Sequence, residues 1–393
     1  MRVAFGLIGG AGWTGGVNYL ANLLSALSEI PGRPVETVLF TGIDVDDKTL
    51  EMLAPYLSEP PIKSELWTKG APSHRSRFLR RLFLQRDISV EQVFRKAGID
   101  LVFLHSAWYG CRFGLPTLAW IADFQHRYLP SLFSTENYWR REIGYRALAR
   151  CATSILVSSE DARQDCEKFY PAACGRIEVL PFAVRIAPRI LQQAPHVIRE
   201  KYHLPEKFFF MPNQFWRHKN HLGVVEALKL MKAQGEKVTV AVSGNPQDVR
   251  DPEYPGRLFD TVREYGLENE FRLIGMIPYT DIVPLMRASV AVINPSFFEG
   301  WSTTVEEAKS VGAALLLSDI RVHREQAPAM CKFFDPHNPV NISEILISGW
   351  REWGPGPRPE LESAASRNLI EWRAKFAERF QIIAERTIAG KAR

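Results

Sequence analysis

Residues 289–310 read SVAVINPSFFEGWSTTVEEAKS, and this stretch indicates which fold to expect. Its first part is an apolar run of strand length, and its end overlaps the helix-like run VEEAKSVGAALL. Between them lies a bend with two acids eight positions apart, Glu299 and Glu307. The bend is rich in small and hydroxyl residues, namely Gly300, Ser302, Thr303 and Thr304. A strand that turns directly into a helix is typical of parallel α/β folds.

The same alternation runs through the whole chain. In the first half the strand-like runs are RVAFGLIG, VETVLFTG, DLVFLH, TLAWIAD, TSILVSS and RIEVLPF. A second series consists of KFFFMPN, KVTVAVSGN, EFRLIGM, SVAVINPS, AALLLSD and CKFFDP. Continuous apolar strands separated by helices indicate parallel sheets that are covered on both faces. We therefore predict an α/β protein of two doubly wound, Rossmann-like domains that face each other across a ligand cleft.

The pattern also predicts where the domains begin and end. The first domain is expected over residues 1–183 and a proline-containing linker over 184–205. The second domain is expected over residues 206–365. Residues 366–393, after the break GPGPRP, have the pattern of a long amphipathic helix, which we expect to return to the first domain.

The composition limits the class of protein. With 393 residues, 46% hydrophobic and 24% charged, the chain is globular and long enough for two or three domains. A net charge of +5 fits anionic ligands or a bilayer surface and is too weak to indicate nucleic acid. The five cysteines form no C-x-x-C pair or Cys/His cluster, so we expect free thiols in a reducing compartment. No run approaches the length of a membrane span, which favours a cytosolic protein.

The first strand-like run is followed by a glycine-rich turn, GLIGGAGWTGGVNYL. Gly10, Gly12 and Gly15 fit G-x-G-x-x-G, the pattern of a dinucleotide site. That fingerprint also needs an acid at the end of the second strand, where the first acid beyond it, Asp44, comes too late. A turn that lets the backbone approach a substrate or a partner domain is the alternative reading.

A second turn is rich in cations. Arg217, His218 and Lys219 precede a helix-like segment in PNQFWRHKNH. Cations are unfavourable at a helix N-terminus unless an anion lies between them and the helix amides. A diphosphate is such an anion, and an exposed basic loop with no ligand is the alternative.

The bend at 299–307 has two readings of its own. Thr303 and Thr304 each precede a glutamate by three residues, Glu306 and Glu307, so either pair could form a capping box. Capping leaves Glu299 unexplained. Carboxylates can accept hydrogen bonds from hydroxyl groups, and a helix N-terminus favours phosphate. A nucleotide sugar is a ligand that carries both phosphate and hydroxyl groups.

The bend also resembles a known family. EGWSTTVEEA is similar to the E-x7-E motif of retaining glycosyltransferases of the GT-B architecture, glycosyltransferase family four, or group 1. Further stretches follow in the order that this family shows, among them WIADFQHRYLPSLFS, PNQFWRHKNH and LLLSDIRVHREQAP. The resemblance covers nearly the whole chain.

The resemblance implies roles for the charged residues. Glu307 is expected to bind the ribose hydroxyls of the donor, and Glu299 the hydroxyls of the transferred hexose. Lys219 and Arg217 are expected to neutralise the diphosphate leaving group. The remaining donor-binding positions that it implies are Gly300, Trp301, Ser302, Thr303, Thr304, Gly15, Gly16, Asn213, Met276 and Ile277.

The chain departs from the family pattern at two positions. Gln214 stands where an arginine often precedes the lysine by five residues, so Arg217 is expected to substitute for it. Ala122 stands where many members have a histidine close to the reacting sugar. Asp123 and His126 are the candidates for the catalytic role there, with His105 as a further candidate. The alternative for His126 is a surface histidine that is hydrogen-bonded to backbone.

The function that follows is transfer of a hexose from a UDP- or GDP-linked sugar to a glycan or lipid-linked acceptor, with retention of configuration. The expected site uses Lys219, Arg217 and helix amides in place of a metal, and no cofactor or nucleic acid is expected. Cell-surface polysaccharide synthesis is the commonest use of the family. A nucleotide-sugar epimerase and a non-catalytic partner subunit share the architecture and remain alternatives.

One segment has no place in this site. Residues 73–86, SHRSRFLRRLFLQR, contain five arginines and no acid, interleaved with apolar residues. A basic amphipathic helix on anionic lipid, at the inner face of the cytoplasmic membrane, is one reading. A surface helix or disordered loop that packs its apolar side on the first domain is the other.

Overall fold

The structure is a computed structural model that describes residues 1–9, 14–71, 73–105 and 107–391, with the side chains of 14 and 73–75 left out. The chain divides into two compact units. The first unit comprises Met1–Arg127, Thr135–Arg185 and Glu371–Arg393. The second unit comprises Tyr128–Ser134 and Ile186–Ile370.

The first unit is built on a parallel sheet of seven strands in the order β3-β2-β1-β4-β5-β6-β7. Its strands are β1 Arg2–Gly6, β2 Glu36–Thr41, β3 Ile62–Lys63, β4 Leu101–His105, β5 Thr117–Trp120, β6 Ser154–Val157 and β7 Ile177–Val179. Ala4 pairs with Val38 on one side and with Val102 on the other, so β1 is central. Both of its faces are covered, as its continuous apolar sequence predicts.

Helices connect these strands, as a parallel sheet requires. Up to residue 169 they are α1 Thr14–Ser28, α2 Asp47–Leu53, α3 Ser73–Leu84, α4 Ile88–Lys96, α5 Gln125–Tyr128, α6 Thr135–Cys151 and α7 Glu160–Phe169. Ser159 begins α7 by accepting a hydrogen bond from the amide of Ala162.

The second unit repeats this plan with a parallel sheet of six strands, in the order β10-β9-β8-β11-β12-β13. The strands are β8 Phe209–Pro212, β9 Val240–Ser243, β10 Phe271–Gly275, β11 Val292–Asn294, β12 Leu315–Ser318 and β13 Cys331–Phe334. The strand order reverses its direction between β8 and β11. Ligands of doubly wound folds bind at such a reversal, beyond the carboxyl ends of the strands.

The helices of the second half follow the same alternation. They are α8 Pro188–Leu191, α9 Pro195–Lys201, α10 His221–Ala233, α11 Tyr254–Glu264, α12 Tyr279–Ala288, α13 Thr303–Ser310, α14 Arg321–Gln326, α15 Pro339–Glu352 and α16 Pro359–Lys391. Short 3-10 turns occur at Ala54–Tyr56, Glu65–Trp67, Pro130–Leu132, Pro171–Ala173 and Arg217–Lys219.

The predicted α/β fold with two doubly wound, Rossmann-like units is confirmed. The alternation did not reveal β3, because two residues at a sheet edge leave no periodic signal. The segment 184–205, predicted as a linker, contains α8 and α9. In the second unit Lys201 and Tyr202 both donate hydrogen bonds of 2.6 Å to Asp281 on α12, so this segment is packed.

The last helix, α16, is longer than predicted. It begins at Pro359, seven positions before residue 366. Within the first unit its Arg373 donates hydrogen bonds to Glu29 at 2.6 Å and to Ser25 at 3.0 Å. No helix among the described residues is long and apolar enough to cross a membrane.

The prediction of five free thiols is wrong for two of them. Cys111 and Cys151 form a disulfide, with their Cα atoms 4.4 Å apart. They lie 40 positions apart in the sequence, and the fold brings the end of α6 next to the loop after β4. Cys166, Cys174 and Cys331 are free.

Candidate functional site

The carboxyl edge of the second sheet gathers most of the predicted site residues. Asn213 follows β8, Met276 and Ile277 follow β10, and the bend with Glu299 follows β11. Because the strands are parallel, their carboxyl ends lie along one edge. The Glu299 bend and the Lys219 turn follow β11 and β8, the neighbouring strands between which the order reverses.

Glu299 and Lys219 form the central ion pair of this edge. The Lys219 Nζ atom lies 2.5 Å from Glu299 Oε1, and the two side chains are only 14% and 10% exposed. Ser296 Oγ donates a second hydrogen bond to the same carboxylate oxygen at 2.7 Å. Burial alone would raise the pKa of Glu299, but the ammonium of Lys219 and these hydrogen bonds hold the pKa below its ordinary value. Glu299 is therefore ionised at neutral pH.

The bend before α13 is held by a chain of buried polar contacts. Asn294, the last residue of β11, donates to Ser302 Oγ at 2.7 Å, and its Oδ1 lies 2.7 Å from the Ser296 hydroxyl that donates to Glu299. Gln326 on α14 accepts from the Ser302 amide at 2.9 Å and donates to the Ser302 carbonyl at 3.1 Å. These contacts fix the position of Glu299 relative to the start of α13.

The start of α13 differs from the predicted capping box. Ser302 is the N-cap and accepts a hydrogen bond from the Val305 amide, so neither Thr303 nor Thr304 caps the helix. The capping explanation of Glu306 and Glu307 is therefore wrong. The first amides of a helix lack partners within it, and those of Thr303 and Thr304 donate to no other group in the part of the chain that the structure describes. The Ser302 amide, which was predicted to hold the donor, is occupied by Gln326.

Glu306, on α13, is held by contacts with neighbouring side chains of the protein. It accepts hydrogen bonds from Lys309 at 2.9 Å and from Gln326 at 3.0 Å. The side chain is buried, and burial raises its pKa.

Glu307 lies in a different environment from Glu299. It is 9% exposed, and no salt bridge reaches it within the described residues. Burial raises the pKa of Glu307 to about 7, against a weaker opposing effect of a hydrogen bond with Tyr279. Tyr279 begins α12, directly after Met276, Ile277 and Pro278. Met276 is 74% exposed and Ile277 is half-buried.

Asn213 contributes an unsatisfied amide. The side chain is 3% exposed, and neither its oxygen nor its nitrogen has a hydrogen-bond partner within the described residues. The neighbouring hydroxyl of Ser243, which pairs in register with Pro212, is buried and unsatisfied in the same way. Buried polar groups are nearly always hydrogen-bonded, so both are candidates to contact a ligand.

The turn with Arg217 bears on whether Arg217 can substitute for the arginine that the family often has at the position of Gln214. Gln214 Oε1 accepts a hydrogen bond of 2.8 Å from the amide of Asn245, so this side chain orders the loop after β9. Arg217 is exposed and forms no salt bridge with any described residue. Its guanidinium is the accessible cation of the turn, while Lys219 is partly buried against Glu299.

His323 is a residue of this site that the sequence interpretation missed. It is fully buried on α14, and its Nδ1 lies 3.0 Å from the Ser318 carbonyl. Since a carbonyl only accepts, Nδ1 carries the proton and Nε2 is an acceptor, which has no partner within the described residues. Burial lowers the pKa of His323 to about 4, and the charges of Glu299 and Lys219 act on it from nearby. Its position shortly after the end of β12 was the available signal.

Asp123 and His126 lie in the first unit and are described by themselves. Asp123 forms an ion pair of 3.1 Å with Arg141. His126 is fully buried, with Nε2 3.4 Å from Glu142 and 3.3 Å from the Tyr170 hydroxyl, so the surface-histidine reading is wrong. Burial lowers the pKa of His126, although Glu142 opposes this.

The other candidates in the first unit lie near the ends of its strands and helices. His105 is the last residue of β4, and burial lowers its pKa to about 4. Gly15 and Gly16 are in the first turn of α1. Gly10 and Gly12 lie outside the described residues.

Acidic, histidine and cysteine side chains are the groups that would bind a metal ion. Within the described residues, no group of three or more His, Cys, Asp or Glu side chains could hold a metal ion. The chain has one Asp-x-Asp sequence, Asp44–Asp46, in the first unit. Asp46 caps α2 through the Thr49 amide, and Asp44 accepts a hydrogen bond from the Lys69 amide at 3.3 Å. Both acids are explained by these contacts.

A family model matches most of the second unit. Residues 196–347, within which all of the second-unit candidates lie, match the family model described as glycosyl transferases group 1. The predicted resemblance to glycosyl transferases of group 1 is confirmed over these residues, and retention of configuration stays a prediction. A search of the curated proteins by sequence found no match.

Solved structures show the same fold over nearly the whole chain. A glycosyltransferase from Rickettsia africae is 15% identical with a TM-score of 0.69, covering 98% of this chain and 97% of its own. HepE of Anabaena, solved with UDP-glucose, is 16% identical with a TM-score of 0.65 and covers 98% of each chain. The sucrose-phosphate synthase of Thermosynechococcus elongatus is 15% identical with a TM-score of 0.64, covering 98% of this chain and 96% of its own. At these identities the similarity concerns the fold alone.

Proposed function

From the match of residues 196–347 to group 1 glycosyl transferases, we propose that this protein transfers a hexose from a UDP- or GDP-linked sugar to a glycan or lipid-linked acceptor. The transfer retains the anomeric configuration and serves the synthesis of cell-surface polysaccharide. HepE of Anabaena, which was solved with UDP-glucose, supports testing UDP-sugars first.

The observation that carries the proposal is the contrast between the two carboxylates. Glu299 is ionised by its contact with Lys219, whereas Glu307 is buried without a cation and has a raised pKa. A buried carboxylate that has a hydrogen bond with Tyr279 but no cation beside it among the described residues is costly, and sugar hydroxyls that donate to it would reduce this cost. We assign Glu307 to the ribose diol and Glu299 to hydroxyls of the hexose.

The rest of the donor fits the groups around these two acids. The amides of Thr303 and Thr304 begin α13 and suit the β-phosphate, because a helix N-terminus favours an anion. Met276 and Ile277 suit the base, since Tyr279 links their segment to Glu307. We assign the unsatisfied amide of Asn213 to the diphosphate.

The chemistry that we propose asks the chain for charge stabilisation. The bond from the anomeric carbon to the diphosphate oxygen breaks, and a bond to the acceptor oxygen forms on the same face. The acceptor proton passes to an oxygen of the leaving phosphate. Lys219, which is paired with Glu299, and the exposed Arg217 neutralise the charge that grows there, which makes a metal unnecessary.

The first experiment is a thermal-shift panel with UDP, GDP, their glucose and mannose derivatives, and NAD. A ligand at about a hundred times its dissociation constant stabilises by about 2.7 kcal/mol. We expect stabilisation by one nucleoside diphosphate, lost in Glu307→Ala and kept in Glu264→Ala, an exposed acid on α11. Stabilisation by NAD alone would refute the proposal.

Product analysis separates the alternatives. A transferase releases the nucleoside diphosphate only slowly until an acceptor is added. The rate of release with acceptor present should be unchanged by EDTA. An epimerase would convert the sugar of the free donor with no acceptor present. A non-catalytic partner subunit would bind the donor but would neither transfer nor epimerise its sugar.

A further inference from the structure

The helix α3 turns its apolar side chains towards solvent. Phe83 is 85% exposed, and Phe78, Leu79, Leu82 and Leu84 are between 44% and 54% exposed. Soluble proteins leave single apolar residues exposed, but a contiguous group of five large ones indicates a contact surface. We call these five residues the α3 patch. The expectation that this segment packs its apolar side on the first domain is therefore wrong.

The arginines of the segment point the other way. Arg77 donates to the Leu66 carbonyl at 2.7 Å and to Asp87 at 3.0 Å. Arg81 donates to the Trp108 carbonyl at 2.8 Å and lies 3.7 Å from Asp87. These contacts attach α3 to the first unit through its polar side, which is the reverse of an ordinary surface helix.

Only part of the positive charge is left for a partner. Arg86 is held by Glu91 at 2.5 Å, whereas Arg80 is exposed and forms no salt bridge with any described residue. Arg112 is also exposed without an ion pair in this part of the chain, and its amide bonds to the Gln85 carbonyl, directly after α3. Arg80 and Arg112 therefore border the α3 patch with cations.

A cavity opens beside the patch. It has a volume of about 670 Å³, and its lining is apolar at Leu66, Trp67, Phe78, Leu79, Ala107 and Tyr109 and basic at Arg77 and Arg81. Its size is that of a small-molecule pocket, and most of its lining is apolar. A hydrocarbon chain has the chemistry to enter the apolar part of such a cavity.

We propose that the α3 patch docks on a bilayer that contains anionic lipid. The five apolar side chains enter the acyl region, Arg80 and Arg112 meet the anionic headgroups, and the cavity admits part of a lipid chain. The inner arginines keep α3 on the protein while its apolar side is inserted. This proposal is independent of the glycosyl transfer proposed above, because it concerns a surface of the first unit alone and needs no donor.

The test is flotation of the purified protein with vesicles of phosphatidylcholine alone or with about 40% phosphatidylglycerol. We expect the wild type to bind the anionic vesicles. In Phe83→Ser the affinity for these vesicles should fall by about tenfold or more, since burying a phenylalanine contributes at least that factor. The control is Val249→Ser, which alters an apolar side chain of the second unit that is 81% exposed. The paired change Arg80→Glu and Arg112→Glu should abolish the preference for anionic vesicles. Because these side chains are exposed, the unfolding temperature should stay unchanged.

Other results would overturn the proposal. Wild-type protein that floats with neither vesicle type, or that binds equally after Phe83→Ser, contradicts docking through this surface. Light scattering identifies the competing occupant, a second copy of the chain. A dimer that dissociates in Phe83→Ser, with no vesicle binding by the wild type, would assign the α3 patch to self-association.

Discussion

The raised pKa of Glu307 predicts how stability depends on pH. In the unfolded chain this carboxyl has its ordinary pKa of 4.5, and in the fold its pKa is about 7. A group whose pKa is higher in the folded state stabilises the fold below the unfolded pKa, and this contribution is lost as pH rises through the folded pKa. With about 1.36 kcal/mol for each pKa unit, the contribution is about 3 kcal/mol, of which about 2.5 kcal/mol is lost between about pH 5 and about pH 8.

Glu307→Gln removes this titration and nearly preserves the shape of the side chain. The variant should be more stable than the wild type by about 3 kcal/mol at about pH 8 and by less than about 1 kcal/mol at about pH 5. Urea-induced unfolding at several pH values, without ligand, measures the difference, in which all other titrating groups cancel.

Glu299→Gln is the matched control, because the pKa of Glu299 is lowered. It leaves the buried Lys219 unpaired, at a cost of about 3 kcal/mol that is nearly constant over the same pH range and shrinks only at lower pH. The reasoning is refuted if the difference between Glu307→Gln and the wild type is the same at both pH values.

Four further outcomes follow from the site. UDP or GDP binding should release a proton near neutral pH, because ribose hydroxyls favour the ionised form of Glu307; calorimetry in two buffers of different ionisation enthalpy measures it, and release that persists in Glu307→Gln would contradict the assignment. Lys219→Met should lower turnover about a hundredfold or more, with partial recovery in Lys219→Arg, when release of the nucleoside diphosphate is followed; equal loss in both would contradict a role as a charge. Asn213→Ala should weaken nucleotide binding about fivefold in titration calorimetry, the worth of one neutral hydrogen bond, and unchanged affinity would remove Asn213 from the site. His323→Leu should lower the rate of sugar transfer about tenfold while the affinity for the free diphosphate stays unchanged, since its imidazole is close enough to Glu299 to interact with its charge; a change in diphosphate affinity alone would contradict this.

The fold could be predicted from the sequence because its signals are local. A buried parallel strand is a continuous apolar run, and each of the twelve quoted runs contains a strand of the structure. Segment boundaries that depend on tertiary contacts were harder to predict from the sequence. The segment 184–205 has no strand pattern, yet Tyr202 and Lys201 fix it to Asp281, which lies about 80 positions away.

The candidate site could be predicted only in part. Glu299 with the start of α13, and Lys219, were identified from two separate strand-to-helix turns, because each turn is visible in one stretch of sequence. The residues that hold this turn come from elsewhere: Gln326 reaches Ser302 from α14. The capping prediction failed for a related reason. Three hydroxyl residues in succession, Ser302 to Thr304, offer three possible caps, and the choice depends on the contact of Ser302 with Asn294.

The electrostatic difference between the two acids of the motif lies beyond any sequence pattern. Both are glutamates on the same short segment, and both are largely buried, so spacing assigns them equivalent environments. What separates them is the turn after β8, which brings Lys219 to Glu299 across 80 positions, whereas Glu307 has a hydrogen bond with Tyr279 and no salt bridge within the described residues. An ionised acid beside a lysine is already satisfied, and it can position a sugar without reorganising. A buried acid without a cation can be satisfied by hydroxyl groups, so binding a diol would relieve a cost that folding imposes. On this reasoning the contacts of the ribose with Glu307 contribute more of the binding free energy. The contacts of the hexose with Glu299 mainly orient the sugar, at a site that is already charged.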